Sequence, residues 1–229
     1  MDQVLDATGE QRETSVTRAA GALRDGEIVV IPTDTLYGVA ADAFNPHGTR
    51  RIFDAKERSR SIPLPILVRS PKQLPGLCPI LPDGAEELMA AYWPGPLTIV
   101  VPAQSGLRWD LGDNEGTVAV RMPLDEVALA VIREVGPLAV TSANRSGEPP
   151  ATTVEEARQQ LGSLVRHYVD DGARGLQAVS TIVDLTRREP QVLREGAIRE
   201  QDVLDVASGD LDPLEAGQRL DEHDEGERG

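Results

Sequence analysis

A mixed α/β domain is the fold the sequence predicts, and three observations predict it. Apolar runs of strand length alternate with segments of helical period. Several strands follow one another without a helix between them, so the sheet is expected to be mixed rather than purely parallel. Two buried runs, Ile28–Ile31 and Leu138–Thr141, open onto polar turns, Thr33-Asp34-Thr35-Leu36-Tyr37-Gly38 and Ser142-Ala143-Asn144-Arg145-Ser146-Gly147. Open α/β sheets hold ligands in crevices at such strand ends.

The elements follow in order. Thr14 or Ser15 can cap a helix through Val16, Ala19, Ala20 and Leu23, stopped near Gly26. Ile28–Ile31 is β-branched and ends at Pro32, which cannot donate to a sheet ladder. Asn45-Pro46 opens a helix through Ile52, Phe53 and Ala55 that closes on Lys56-Glu57-Arg58. Pro65–Val68 reads as a short strand and Pro71–Pro82 as a proline-rich loop. Asp83 with Glu86 resembles a capping box for a helix ending near Tyr92. The rigid turn Trp93-Pro94-Gly95-Pro96 leads to a strand over Leu97–Val101, then a loop over Gln104–Gly116 and a strand over Thr117–Arg121. A helix over Asp125–Val135 ends at Gly136 ahead of the strand Leu138–Thr141, and Thr153 with Glu156 starts another helix. Strands are expected at Val165–Val169, Thr181–Leu185 and Gln191–Arg194.

Composition narrows the function classes. No apolar run reaches the length of a membrane span, and residues 1–13 hold no signal-peptide core, so a cytoplasmic protein without membrane partners is expected. The single Cys78 excludes an internal disulfide framework, and with His47, His167 and His223 it forms no zinc-ligand spacing. Net charge is −15, of which residues 208–229 contribute −6, so the remaining body is acidic too. Such a surface repels nucleic acid, and any anionic ligand must sit in a local basic pocket. One stretch supplies it: Arg50, Arg51, Lys56, Arg58, Arg60, Arg69 and Lys72 stand against only Asp54 and Glu57. A folded domain over 14–207 is expected, with an acidic tail over 208–229 that lacks regular structure.

Neither a Gly-x4-Gly-Lys-Ser/Thr sequence nor Gly-x-Gly-x-x-Gly after a strand is present. What recurs is polar residues at strand ends: Thr33 and Thr35, Thr117 and Arg121, Ser142, Asn144 and Ser146, Ser180 and Thr181, and Arg194. Seven collinear motifs carry a resemblance. Pro32–Gly38, Lys56-x-Arg58, Trp93-Pro94-Gly95-Pro96-Leu97-Thr98, Val118-Ala119-Val120-Arg121-Met122-Pro123, Ser142-Ala143-Asn144-x-Ser146-Gly147, Ser180-Thr181-Ile182-Val183-Asp184 and Leu193-Arg194-Glu195-Gly196 resemble the YrdC-like threonylcarbamoyl-AMP synthases, in their short single-domain form.

The resemblance implies a twisted mixed β-sheet with helices outside and a central positively charged cavity. It implies a nucleotidyltransferase: L-threonine, bicarbonate and ATP give threonylcarbamoyl-AMP and pyrophosphate, and downstream transferase proteins use the product on adenosine 37 of tRNA. It places Lys56, Arg58, Thr117, Ser142, Asn144, Thr152 and Arg194 at the nucleotide, with Mg²⁺ carried by ATP, and Thr35, Arg121 and Ser180 at threonine. Lys56 and Arg58 are expected to carry catalysis by neutralising the triphosphate, and their replacement by alanine to abolish turnover with the fold intact. Each residue also has a structural reading. Arg121 fits an ion pair at a strand end, Ser142 and Asn144 turn formation, and Lys56 with Arg58 a helix C-terminus, while Asp34 could contact the amine but better fits the ordering of its turn. The chain departs from the family at Ser59 and Ile62, where many members carry Pro and Asn, and at Leu67, where many carry His. The rival functions are an O-carbamoyl-adenylating enzyme using carbamoyl phosphate and an RNA-binding module of the same fold.

Overall fold

The structure, a computed structural model, describes residues 2–175 and 178–227. Its elements run β1 (Gln3–Asp6), α1 (Arg12–Arg24), β2 (Val29–Ile31), β3 (Gly38–Asp42), α2 (Pro46–Lys56), β4 (Ile66–Leu67), α3 (Ala85–Tyr92), β5 (Leu97–Pro102), β6 (Thr117–Arg121), α4 (Glu126–Val135), β7 (Leu138–Ser142), α5 (Val154–Leu161), β8 (His167–Asp170), β9 (Thr181–Asp184), β10 (Gln191–Arg194), α6 (Glu200–Ser208) and α7 (Pro213–Glu227). The strands form one sheet in the order β1-β8-β2-β3-β7-β4-β6-β5-β9-β10. It is mixed, as expected: β5 pairs antiparallel with β6 and parallel with β9, and β3 pairs antiparallel with both β2 and β7.

Local chemistry explains most starts and stops. The Asn45 side chain accepts from the backbone N–H groups of His47 and Gly48 at the start of α2, with Pro46 in the first turn. Glu57 then takes the left-handed conformation and ends that helix. Thr153 and Glu156 form the capping box of α5, and Asp125 caps α4 by accepting from Ala128 N–H. Two expected caps are not used. α1 begins before Thr14, and Ser15 lies inside it, donating its hydroxyl to the Asp6 carbonyl. α3 begins after Gly84, whose left-handed backbone lies so close to α6 that a Cβ would stand 2.6 Å from the Ala207 carbonyl oxygen.

Two strands are additional to those expected. β1 is a short edge strand that buries only Leu5 and pairs with β8. β3 is central but reads Gly-Val-Ala-Ala-Asp, small residues of poor strand propensity. Its Gly38 is required: a Cβ there would meet Val140 Cγ1 at 2.6 Å.

Residues 208–229, expected to lack regular structure, contribute α7 instead. Their abundant charge lies beside an apolar set: Leu211 and Ala216 are buried, Leu220 packs on the core, and Gly217 lies against the Ala91 carbonyl of α3. Burying two to three apolar side chains is worth about 2–3 kcal/mol. Deleting residues 209–229 is therefore expected to lower the melting temperature by roughly 5–10 °C, as thermal unfolding followed by circular dichroism would report. An unchanged melting temperature would mean that α7 does not support the domain.

Helices α1 and α4 cover one face of the β2–β3–β7 half of the sheet, through Val16, Leu23, Val127 and Val131 against Val29, Ile31, Ala40 and Val140. Among the described residues no helix continues that cover over β6, β5 and β9, and a cavity lies there instead. Period-two alternation divides the residues of these strands. Ile99, Val120 and Val183 enter the main core on the opposite face, whereas Thr98, Val100, Thr117, Ala119, Arg121 and Ile182 line the cavity.

Candidate functional site

The cavity has a volume of about 530 Å³, within the range of small-molecule sites. Thr35, Arg58, Thr117, Arg121, Ser142, Ser180 and Arg194 all line it. Its floor is the face of the sheet, with the strand-end turns as walls, rather than a crevice confined to strand ends. No acidic side chain among the described residues lines it. A second cavity of about 390 Å³ lies among α3, α6 and α7, but its cations are already paired, Arg199 with Asp202 and Arg219 with Glu215. Only the first offers charge to an incoming anion.

Lys56 is fully buried in the wall behind Ser142. Its Nζ donates to the Ser142 carbonyl at 2.5 Å, to the Asn144 carbonyl and to Asn144 Oδ1 at 3.3 Å. The end of α2 is thus tied to the turn after β7, and Ser146 N–H returns a bond to the Lys56 carbonyl. Burial first, and the nearby Arg58 charge second, pull the Lys56 ammonium down to a pKa of about 7. Arg58 donates Nε to the Ile62 carbonyl at 2.9 Å and Nη2 to the Pro63 carbonyl at 3.2 Å. Burial lowers its pKa as well. The departure at position 62 leaves an exposed apolar side chain at the cavity lip, with its backbone holding Arg58.

At the other end, Arg121 is held on three sides. Nε donates to the Gly95 carbonyl at 2.9 Å, Nη1 to Thr35 Oγ1 at 3.2 Å and Nη2 to Asp34 Oδ2 at 2.6 Å. The ion-pair reading of Arg121 is therefore realised, and Arg121 lines the cavity as well. Asp34 also accepts from Leu124 N–H at 3.1 Å, so it ties the turn after β2 to the segment after β6. Thr33 donates to the Leu36 carbonyl and orders the turn that carries Thr35. Ser180 Oγ lies 3.0 Å from Thr98 Oγ1 and accepts from Arg194 Nη2 at 3.0 Å; Arg194 also donates to the Ser180 carbonyl. Burial, then the Arg121 charge, lowers the Arg194 pKa.

Two other residues stand apart from the lining. Asn144 is buried, and its amide bonds the carbonyls of Arg145 and Glu148, organising the turn. Thr152 does not line the cavity: its hydroxyl and N–H donate to Glu156 at the start of α5. Thr117 does line it, donating its hydroxyl to the Asn114 carbonyl. Sequence reasoning passed over Thr98, Leu111 and Asn114, which also line the cavity. Thr98 was detectable as the hydroxyl between Leu97 and Ile99, on the face opposite the core; Leu111 and Asn114 carried no local signal. They belong to the loop between β5 and β6, which is fastened over the cavity edge by Leu64 N–H to the Leu111 carbonyl, Asp113 N–H to the Arg60 carbonyl and the Arg60–Asp110 ion pair.

The family model described as Sua5_yciO_yrdC, telomere recombination, matches residues 21–196. A Mycobacterium tuberculosis protein is 48% identical over 93% of this chain and 99% of its own length. The threonylcarbamoyl-AMP synthase of Pyrococcus abyssi is 35% identical over 90% of this chain and 61% of its own. The crystal structure of P. abyssi Sua5 complexed with L-threonine superimposes with a TM-score of 0.83 at 35% identity, over 90% of this chain and 60% of that one. This chain therefore spans about three fifths of the length of the P. abyssi protein.

Proposed function

The chain belongs to the Sua5–YciO–YrdC family, and on that premise we propose that it is an L-threonylcarbamoyladenylate synthase. In this reading L-threonine, bicarbonate and ATP give threonylcarbamoyl-AMP and pyrophosphate, which makes the enzyme a nucleotidyltransferase serving tRNA modification. The names of its relatives support the reading, as does the P. abyssi Sua5 structure with L-threonine. The observation that carries it is the cavity itself. Cations without acidic partners among the described residues (Arg58, Arg194 and, just behind the wall, Lys56) share one hollow with the hydroxyl cluster Thr35–Thr98–Ser180 and with Arg121.

The chemistry asks little covalent work of the protein. The threonine amine takes up carbon from bicarbonate, with loss of water, to give a carbamate. A carbamate oxygen then attacks the α-phosphorus, and pyrophosphate leaves with the P–O bonding electrons. Positioning and charge neutralisation supply the catalysis. Lys56, Arg58, Ser142, Asn144, Thr117 and Arg194 are assigned to the nucleotide. Lys56 acts as a point charge and Arg58 and Arg194 as hydrogen-bonding forks. Arg121 is assigned to the threonine carboxylate, with Thr35 and Ser180 beside the amino acid. A pocket that hydrogen-bonds the substrate hydroxyl strongly rejects an analogue without it. With no carboxylate in the cavity wall, Mg²⁺ is assigned to the triphosphate with which it arrives. Thr152 sits outside this set and is assigned to capping α5.

Threonine-dependent pyrophosphate release from ATP and bicarbonate tests the reading. Adenylate product formed only with carbamoyl phosphate, or tight salt-sensitive RNA binding without pyrophosphate release, would replace it.

A pH signature follows from Lys56. Its pKa of about 7 in the free protein leaves much of it neutral at pH 8, and a bound polyanion favours the charged form. ATP binding at pH 8 is therefore expected to take up close to one proton, falling toward zero near pH 6. Titration calorimetry in buffers of different ionisation heat measures this, and the uptake should vanish in Lys56→Met.

A further inference from the structure

We propose that Asp34 is a positioning residue that reserves Arg121 for the amino-acid carboxylate. The inference rests on the proposed function and goes beyond it, because Asp34 itself does not line the cavity.

The cations at the site are unequally paired. Of the four cations at the site, Lys56, Arg58 and Arg194 are held, among the described residues, only by carbonyl, amide and hydroxyl oxygens. Arg121 alone among them has an acidic partner, Asp34, and both side chains of that pair are 8% exposed. A triphosphate seeks uncompensated charge, so it is drawn to the first three. Arg121, its charge offset by Asp34, competes poorly for the polyanion. Its geometry suits a smaller anion. With bonds to Gly95, Thr35 and Asp34 in place, each terminal nitrogen keeps one further N–H without a partner among the described residues. A carboxylate matches such a two-pronged donor.

Asp34 also fixes the rotation of the fork. Its second oxygen is engaged by Leu124 N–H, so the carboxylate cannot turn freely, and the guanidinium it holds cannot swing toward Ser180 and Arg194. Asp34 thus sorts two anions within one hollow, the triphosphate to one end and the carboxylate to the other.

The test uses the full-length protein with Asp34→Asn, which keeps shape and removes charge, and Asp34→Glu, which keeps charge and displaces the carboxylate. KM for threonine, KM for ATP, kcat and the nucleotide Kd without threonine are measured for each. For Asp34→Asn the expected result is a threonine KM raised tenfold or more and kcat at saturating threonine within about threefold. Nucleotide Kd should stay equal to wild type or tighten. Asp34→Glu should restore part of the threonine KM. An unchanged threonine KM in Asp34→Asn overturns the inference. So does an equal rise in both KM values, because it describes a loosened fold. If Asp34→Asn does not fold, Asp34→Glu decides by the same split between threonine and ATP. Wild-type protein that releases no pyrophosphate with threonine overturns the functional reading instead, a result separable from any failure of the variants.

Discussion

Replacing Lys56 by methionine is expected to reduce threonine-dependent pyrophosphate release by about a thousandfold or more, the scale on which one preorganised charge at a developing anion acts. The same change should weaken the fold. Lys56 is 1% exposed, and its ammonium satisfies the carbonyls of Ser142 and Asn144. Methionine fills the space but leaves the Asn144 carbonyl without its donor, while the Ser142 carbonyl keeps the Asn144 N–H, at a cost of about 1–3 kcal/mol. The sequence reading expected Lys56 to be dispensable for folding, as a helix-terminal cation would be; its burial and its bonds across to the turn after β7 change that. Calorimetric melting and single-turnover kinetics separate the two effects. A Lys56→Met protein that melts lower but still turns over at near the wild-type rate would confine Lys56 to a structural role.

Arg58→Ala should divide differently. The Arg58 side chain bonds only the Ile62 and Pro63 carbonyls of its own loop, so melting should move little, within about 1 kcal/mol. Its removal takes one uncompensated cation from the cavity, and KM for ATP is expected to rise about 100-fold while KM for threonine moves less. Arg58→Lys should recover only a fraction of the loss. A lysine ammonium can reach one of the two carbonyls but cannot span both while presenting donors to phosphate oxygens. Steady-state kinetics with each substrate varied in turn decide this, and equal rises in both KM values would remove Arg58 from the nucleotide end.

What could be read in advance was whatever short-range chemistry settles. Asn45-Pro46 and the Thr153–Glu156 pair mark helix starts by side-chain-to-backbone bonds that act over a few residues, and both are used. The Pro32 break and the β-branched runs mark strands for the same reason. Misreadings arose where tertiary packing overrides composition. β3 begins with Gly38 because Val140 leaves no room for a Cβ there, and α7 hides the core contacts of Ala216 and Leu220 among many charges. At the cavity, hydroxyl and cation positions were visible from their places at strand ends. The partner of Arg121 was not, because Asp34 is 87 residues away in the chain and its own turn offered it a sufficient local role. Thr152 lies outside the cavity lining for a local reason: beside Thr153 and Glu156, its bonds go to the helix start.

The two-residue alternation along β5, β6 and β9 limits which changes this chain can tolerate. Losing or gaining one residue within β6 would turn the Arg121 guanidinium toward Ile99 and Val183 and push Val120 out among the hydroxyls. Strand length here is thus fixed in units of two by chemistry, while the 71–82 segment, outside the sheet, is free of that parity. Length variation among homologues should accordingly collect in such connectors and spare these three strands.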